Sequence, residues 1–220
     1  MLRVVVFDFD GTLVDSNSIK DDCLYKTVGG LRGAEAVIAD VLKRGGDRHK
    51  IFSEFAGSYF GESDPETTAA KVRALVRQYG EYCYRGITAA SERRGASQTL
   101  ALLHRRGLRL WVLSATPVKS LRPLLRRRGF DRWLHGALGS PLTKVEGLRL
   151  IMRLERAQRR ELLMVGDGFD DEAAARAVKV RFAGITLERQ LPVRGRLALR
   201  DLHSLPALIE EFRGRARQNA

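Results

Sequence analysis

Two aspartates, Asp8 and Asp10, flank Phe9 at the end of an apolar run that begins at Val4. Two more, Asp167 and Asp171, lie four residues apart around a Gly-Asp-Gly turn, and Ser114 and Lys144 fall between the two pairs. If these side chains converge, four carboxylates, a hydroxyl and an ammonium make little sense as packing, because carboxylates held close together repel. A bound cation is their natural partner. The set contains neither His nor Cys, and an all-oxygen donor set suits Mg2+, which takes carboxylates, waters and a substrate phosphate. Taken singly, each residue has a plainer reading. Asp10-Gly11 is a common turn, Ser114 can cap a helix and Lys144 can be a solvated first-turn lysine. Only the whole set points to chemistry.

Convergence depends on the elements that carry these residues. Residues 3–9 form a continuous apolar, β-branched run, the pattern of a strand buried on both faces in a parallel sheet. It ends at Asp10-Gly11-Thr12, where glycine permits a tight turn. From residue 18 to 94 strand-like runs vanish, and helical periodicity appears over 18–28, 34–43, 50–60 and 65–85. Asp64-Pro65 reads as a helix N-cap followed by a first-turn proline. After Gly95 helices and strands alternate. Helices are expected over 96–106, from Thr116-Pro117 (cap and first turn) to 128, over 144–157 and 171–178, and from about 204. Strands are expected over 108–113, 135–138, 161–165 and 180–183. Such alternation predicts an α/β fold, a doubly wound parallel sheet formed by residues 1–17 and 95–220, with a small all-helical domain over 18–94. In open sheets of this kind ligands bind at the carboxyl ends of the strands. Asp8, Asp10, Ser114, Asp167 and Asp171 all fall there.

Asp8-Phe9-Asp10-Gly11-Thr12-Leu13, Ser114, Lys144 and Gly166-Asp167-Gly168-Phe169-Asp170-Asp171 resemble, in order, the four motifs of the haloacid dehalogenase (HAD) superfamily. The resemblance runs from residue 3 to about 185 and is to phosphatase-type members with a helical cap, similar to phosphoglycolate phosphatases. The fourth motif departs by having Gly168 where many such phosphatases have serine. The resemblance implies a Rossmann-like core and a Mg2+-dependent phosphomonoester hydrolase that acts through an aspartyl-phosphate. Asp8 would attack phosphorus, being ionised at neutral pH without an activating base. Asp10 would protonate the leaving oxygen and then deprotonate the hydrolytic water. Mg2+ would be held by the Asp8 side chain, the Asp10 carbonyl, Asp167 and Asp171. Ser114 and the amides of Gly11 and Thr12 would hold phosphoryl oxygens, with Lys144 offsetting charge in the transition state. Asp170 reads only as a helix-start residue.

The helical insert lies between the first and second motifs, where cap-bearing members of the superfamily carry a mobile lid. Arg48, beside Gly45-Gly46-Asp47, is expected to meet an anionic or polyhydroxyl part of the substrate, with Asn17 and Lys20 as weaker candidates; a solvated turn arginine is the plain alternative. Similarity to phosphatase-like proteins associated with bacterial surface-sugar gene clusters ranks sugar and sugar-acid phosphates first among small metabolites. Dehalogenases of the superfamily lack the second aspartate, so Asp10 argues against halide displacement. A phosphoglucomutase-like enzyme uses the same core residues and stays open as the alternative.

A net charge of +13 invites a different class, a basic nucleic-acid-associated binding protein. Arginines dominate, but no helix combines them with base-stacking aromatics, so solvated helix faces account for them. No stretch approaches the roughly 20 uncharged apolar residues of a membrane span. The short run after Met1 makes a poor signal peptide. The two cysteines, Cys23 and Cys83, fall in helical segments and read as packing residues of a reduced, cytoplasmic protein, with a single disulfide left open. His49, His104, His135 and His203 lack metal-ligand spacing and read as structural or surface residues. Oligomeric state is not legible.

Overall fold

The computed structural model describes residues 1–61, 64–185 and 197–218. In chain order these form β1 (Val4–Phe7), α1 (Asn17–Val28), α2 (Ala34–Arg44), α3 (Arg48–Phe60), α4 (Pro65–Ala89), α5 (Ala96–Arg105), β2 (Arg109–Pro117), α6 (Val118–Arg127), β3 (Gly136–Ser140), α7 (Lys144–Leu154), β4 (Leu162–Gly166), α8 (Phe169–Val178), β5 (Arg181–Ile185), β6 (Ala198–Leu199) and α9 (Leu205–Gln218). The chain divides into two compact units, Met1–Asp15 with Ala90–Ala220, and Ser16–Ala89.

The first unit is built on one sheet in the order β3-β2-β1-β4-β5-β6, and every adjacent pair is parallel. β1 sits between β2 and β4, with Phe7 opposite Val112 on one side and Val165 on the other. All four β1 residues are buried. Val4 and Val6 pack into a core cluster with Trp111, Leu113, Leu148, Ile151 and Met164. Val5 and Phe7 point the other way and are also inaccessible, so both faces are covered, as the unbroken apolar run predicts. The α/β class and the parallel sheet stand as expected.

Several elements differ from expectation: α4 reaches Ala89 rather than 85, α7 stops at Leu154 rather than 157, and β2 and β6 differ more. β2 continues through Ser114-Ala115-Thr116 to Pro117, because the strand's alternation persists, with Ser114 and Thr116 buried and Ala115 exposed between them. Pro117 rather than Thr116 then precedes α6, and no side-chain hydrogen bond caps that helix. The two-residue β6 is too short to leave a periodic signal.

In the second unit α1 packs on α4, and α3 on both α2 and α4. Ile38, Phe52, Phe55 and Ile87 are among its buried residues. Asp64 caps α4 as expected, its Oδ1 accepting from the amides of Glu66 and Thr67 at 3.0 Å each. Cys23 and Cys83 are free thiols, both buried. Burial pushes Cys83 up to about 12, with the Tyr79 hydroxyl and Cys23 as its hydrogen-bonding neighbours. Among the described residues no helix is long and apolar enough to cross a membrane.

Candidate active site

The site grows from the carboxyl end of β1. The amide of Asp8 donates to the Val165 carbonyl at 2.8 Å, continuing the ladder with β4 by one residue past the strand. Beyond it the chain turns on Gly11, whose φ of 77° favours glycine. The turn closes on itself: the Gly11 amide donates to the Val14 carbonyl at 2.7 Å, and the amides of Leu13 and Val14 donate to Phe9. Asp8 and Asp10 remain 6% and 5% exposed.

β4 ends next to β1 and delivers the second acidic group. Gly166 is required there, since a Cβ on it would lie 2.4 Å from the Asp171 carboxyl carbon. Asp171, with no exposed surface, accepts from the Gly168 amide at 3.1 Å through Oδ2 and from Lys144 Nζ through Oδ1. The Asp167 Oδ1 accepts from the Thr12 hydroxyl at 2.7 Å, which ties the β1 turn to the β4 turn. Asp8, Asp167 and Asp171 each offer a carboxylate oxygen, and these oxygens lie within 4.8 Å of one another. Three oxygens at that spacing can hold a divalent cation.

Lys144 comes from the first turn of α7, whose start is fixed by a capping box between Thr143 and Glu146. Its ammonium lies 3.4 Å from Asp8 Oδ2 and 2.9 Å from Asp170 Oδ2, besides its bond to Asp171. Burial works against the charge on Lys144. The carboxylates of Asp8, Asp171 and Asp170 outweigh it and hold the ammonium's pKa above that of ordinary lysine. Burial, joined by the Asp8 carboxylate, pushes Asp171 well above the usual carboxylate range despite the pull of Lys144. A divalent cation on the same oxygens would act in the opposite sense.

Ser114 and Thr116 approach Asp10 from β2. Both hydroxyls donate to Asp10 Oδ2, Thr116 at 2.7 Å and Ser114 at 3.4 Å. Ser114 Oγ also accepts from the Thr116 amide at 3.0 Å.

A family model for haloacid dehalogenase-like hydrolases matches residues 2–179. The chain belongs to that family. It is similar to a phosphoglycolate phosphatase of Photobacterium profundum, 27% identical over 84% of this chain and 83% of the relative. It is also similar to phosphoglycolate phosphatase 1 of Pseudomonas aeruginosa, 30% identical over 84% of this chain and 69% of the relative. Among solved structures, a predicted phosphoglycolate phosphatase of Haemophilus somnus shares the fold, with a TM-score of 0.74, 19% identity, and coverage of 94% of this chain and 98% of that one. The chain is a phosphatase-type member.

In this haloacid dehalogenase-like hydrolase, then, the first unit brings together Asp8, Asp10, Thr12, Ser114, Lys144, Asp167 and Asp171. The Gly11 amide, expected to face a phosphoryl oxygen, is instead committed to Val14, because the turn must close before the chain leaves the sheet. Asp170 is more than a helix-start residue, being paired with Lys144. Thr116 is no cap but a partner of Asp10. Arg93 carries no sequence signal of its own. Its Nε donates to the Gly11 carbonyl at 2.8 Å, its Nη1 lies 3.6 Å from Asp15 and its amide donates to Leu13. It thus pins the turn that follows Asp10. Asn17 and Lys20 (α1) and Arg48 (α3) belong to the helical unit, all three partly buried.

Proposed function

We propose that this hydrolase removes phosphate from a small phosphorylated metabolite through a phosphoryl-aspartate on Asp8. The observation that carries the reading is the Lys144 ammonium set among Asp8, Asp170 and Asp171, beside a fourth acidic residue, Asp167. An exposed structural ion pair has no need of the buried carboxylates of Asp8 and Asp171. A site that takes in an anionic phosphoryl group and a cation does. The donor set is oxygen only, which fits Mg2+ better than a softer metal. Asp8, Asp167 and Asp171 would hold it, with the Asp10 carbonyl. When bound, the cation supplies positive charge that lets a phosphoryl group approach a carboxylate.

The chain's own residues supply the remaining steps. Asp8 presents a buried oxygen at the strand end as nucleophile. Lys144, already turned toward Asp8, neutralises charge on the phosphoryl oxygens, aided by Ser114 and the Thr12 amide. Asp10 gives its proton to the leaving oxygen and takes one from water in the second half. The helical unit, Ser16–Ala89, acts as a cap that excludes water and selects substrate, with Arg48, Asn17 and Lys20 as its substrate-contacting residues. The names of the relatives put 2-phosphoglycolate first among substrates, ahead of sugar and sugar-acid phosphates. A chain of net charge +13 favours anions generally.

A panel of phosphometabolites assayed with and without Mg2+ tests this. Release of inorganic phosphate, lost on chelation and in Asp8→Asn, is expected. Turnover that survives Asp8→Asn, or none across the whole panel, would falsify the proposal.

A further inference from the structure

We propose that Thr116 is the residue that sets the orientation of Asp10 for proton transfer to the leaving group. The inference rests on the phosphoryl-aspartate reading above and adds a residue to it. Three observations carry it. The Thr116 hydroxyl is buried and donates to Asp10 Oδ2 at 2.7 Å, whereas the Ser114 hydroxyl reaches the same oxygen only at 3.4 Å. The shorter contact is the stronger restraint. Once Ser114 gives its hydroxyl to a phosphoryl oxygen, Thr116 is the donor that still holds the Asp10 carboxylate.

The backbone under Thr116 is itself held. Its amide donates to Ser114 Oγ at 3.0 Å, and it lies where the β2–β3 register shifts between Leu113 and Pro117. β3 can approach there only because residue 139 is glycine. A Cβ at that position would sit 2.3 Å from the Thr116 carbonyl and 3.0 Å from the Val118 amide. A threonine that only closed a strand would not need its hydroxyl aimed 106 positions back along the chain at one carboxylate. Thr116 is a positioning residue: it acts through Asp10 and does not touch the reacting atoms.

The consequence depends on the leaving group. A para-nitrophenolate departs without protonation, whereas an alkoxide needs the proton that Asp10 delivers. The value of kcat/KM reports steps up to the first irreversible one, here transfer to Asp8. Thr116→Val keeps the shape and removes the hydroxyl. It is expected to lower kcat/KM for an alkyl phosphate such as 2-phosphoglycolate about 10- to 100-fold, part of the roughly 100- to 10,000-fold that a positioned general acid supplies. For para-nitrophenyl phosphate the loss should stay under about 3-fold, because that step bypasses the acid. Thr116→Ser restores the alkyl rate, and Thr116→Ala repeats the split if valine disturbs folding, which thermal unfolding of each variant reports. Equal losses on both substrates, no loss on either, or a serine variant as slow as valine each overturn the role of Thr116. A wild-type protein inactive on both substrates, or an Asp8→Asn variant still active, overturns the phosphatase reading itself and this one with it.

Discussion

Among the described residues, a buried polar cluster in each unit meets burial in its own way, and the two ways are opposite. At the carboxyl end of the sheet, Lys144 is surrounded by Asp8, Asp170 and Asp171, and those neighbours hold its charge in place against desolvation. In the helical unit, Cys23, Tyr79 and Cys83 lie between α1, α3 and α4, and burial, the largest influence on each, drives both thiols and the phenol toward their neutral forms. The first arrangement keeps ions where water is scarce, as a site that admits a charged group requires. The second is packing with polar atoms satisfied locally. Burial of a titratable group is therefore no sign of function by itself; the charge state its neighbours enforce is what separates the two regions.

Substitutions in the two clusters should separate accordingly. Asp8→Asn is expected to lower kcat by on the order of 1,000-fold or more, since it removes the nucleophile. Cys23→Ser and Cys83→Ser, measured in the same assay, should stay within about 2-fold, because neither touches the reacting groups. A comparable loss from a cysteine variant would erase the distinction. Lys144→Ala should cost on the order of 100-fold in kcat/KM, the scale of losing one preorganised charge-stabilising donor. Gly166→Ala probes the site through packing alone. Its new Cβ meets the buried Asp171 carboxyl, so urea unfolding should show a loss of roughly 1–3 kcal/mol, together with a raised requirement for Mg2+. An unchanged midpoint would mean that Asp171 can move aside.

Smaller effects test the helical cluster and the sheet edge. With Cys83 pushed up to about 12, labelling of the native protein by a thiol reagent at pH 8 should be slow and become fast only on unfolding. Rapid labelling of either cysteine in the folded protein would show that the α1–α4 contact opens readily. His135, on the α/β unit, has its pKa lowered by burial first and then by Arg109. Below the ordinary histidine pKa the unfolded chain therefore binds more protons than the folded one, so stability should rise with pH through that range and level off above it. His135→Gln should flatten the slope. A slope unaltered by that change would assign the pH dependence elsewhere.

Much of this organisation is legible without coordinates. The unbroken run from Val4 to Phe7 announces a doubly buried strand, and Asp64-Pro65 announces the start of α4, because each rests on local sterics and hydrogen bonding alone. Asp8, Asp10, Asp167 and Asp171 stand out because acidic residues directly after apolar strands are hard to explain as packing. Thr116 does not stand out. A threonine before proline and a helical segment has the local chemistry of a cap, and only the continuation of β2 past the end of β1 turns its hydroxyl to Asp10. Asp170 is hidden in the same way, since an acidic residue is also what a helix start favours. The Gly11 amide is a third case: whether it faces a ligand or closes its own turn depends on Val14 folding back.

The central claim is that Asp8 becomes covalently phosphorylated during turnover. Mixing the protein with substrate and Mg2+, quenching in acid within the first turnover and mapping the peptides tests it most directly. The expected result is a phosphoryl group on the peptide carrying Asp8, labile to hydroxylamine and absent from Asp8→Asn. A phosphoryl group on a serine or histidine peptide, or full-rate turnover with no label on Asp8 under conditions that trap acyl phosphates, would contradict it.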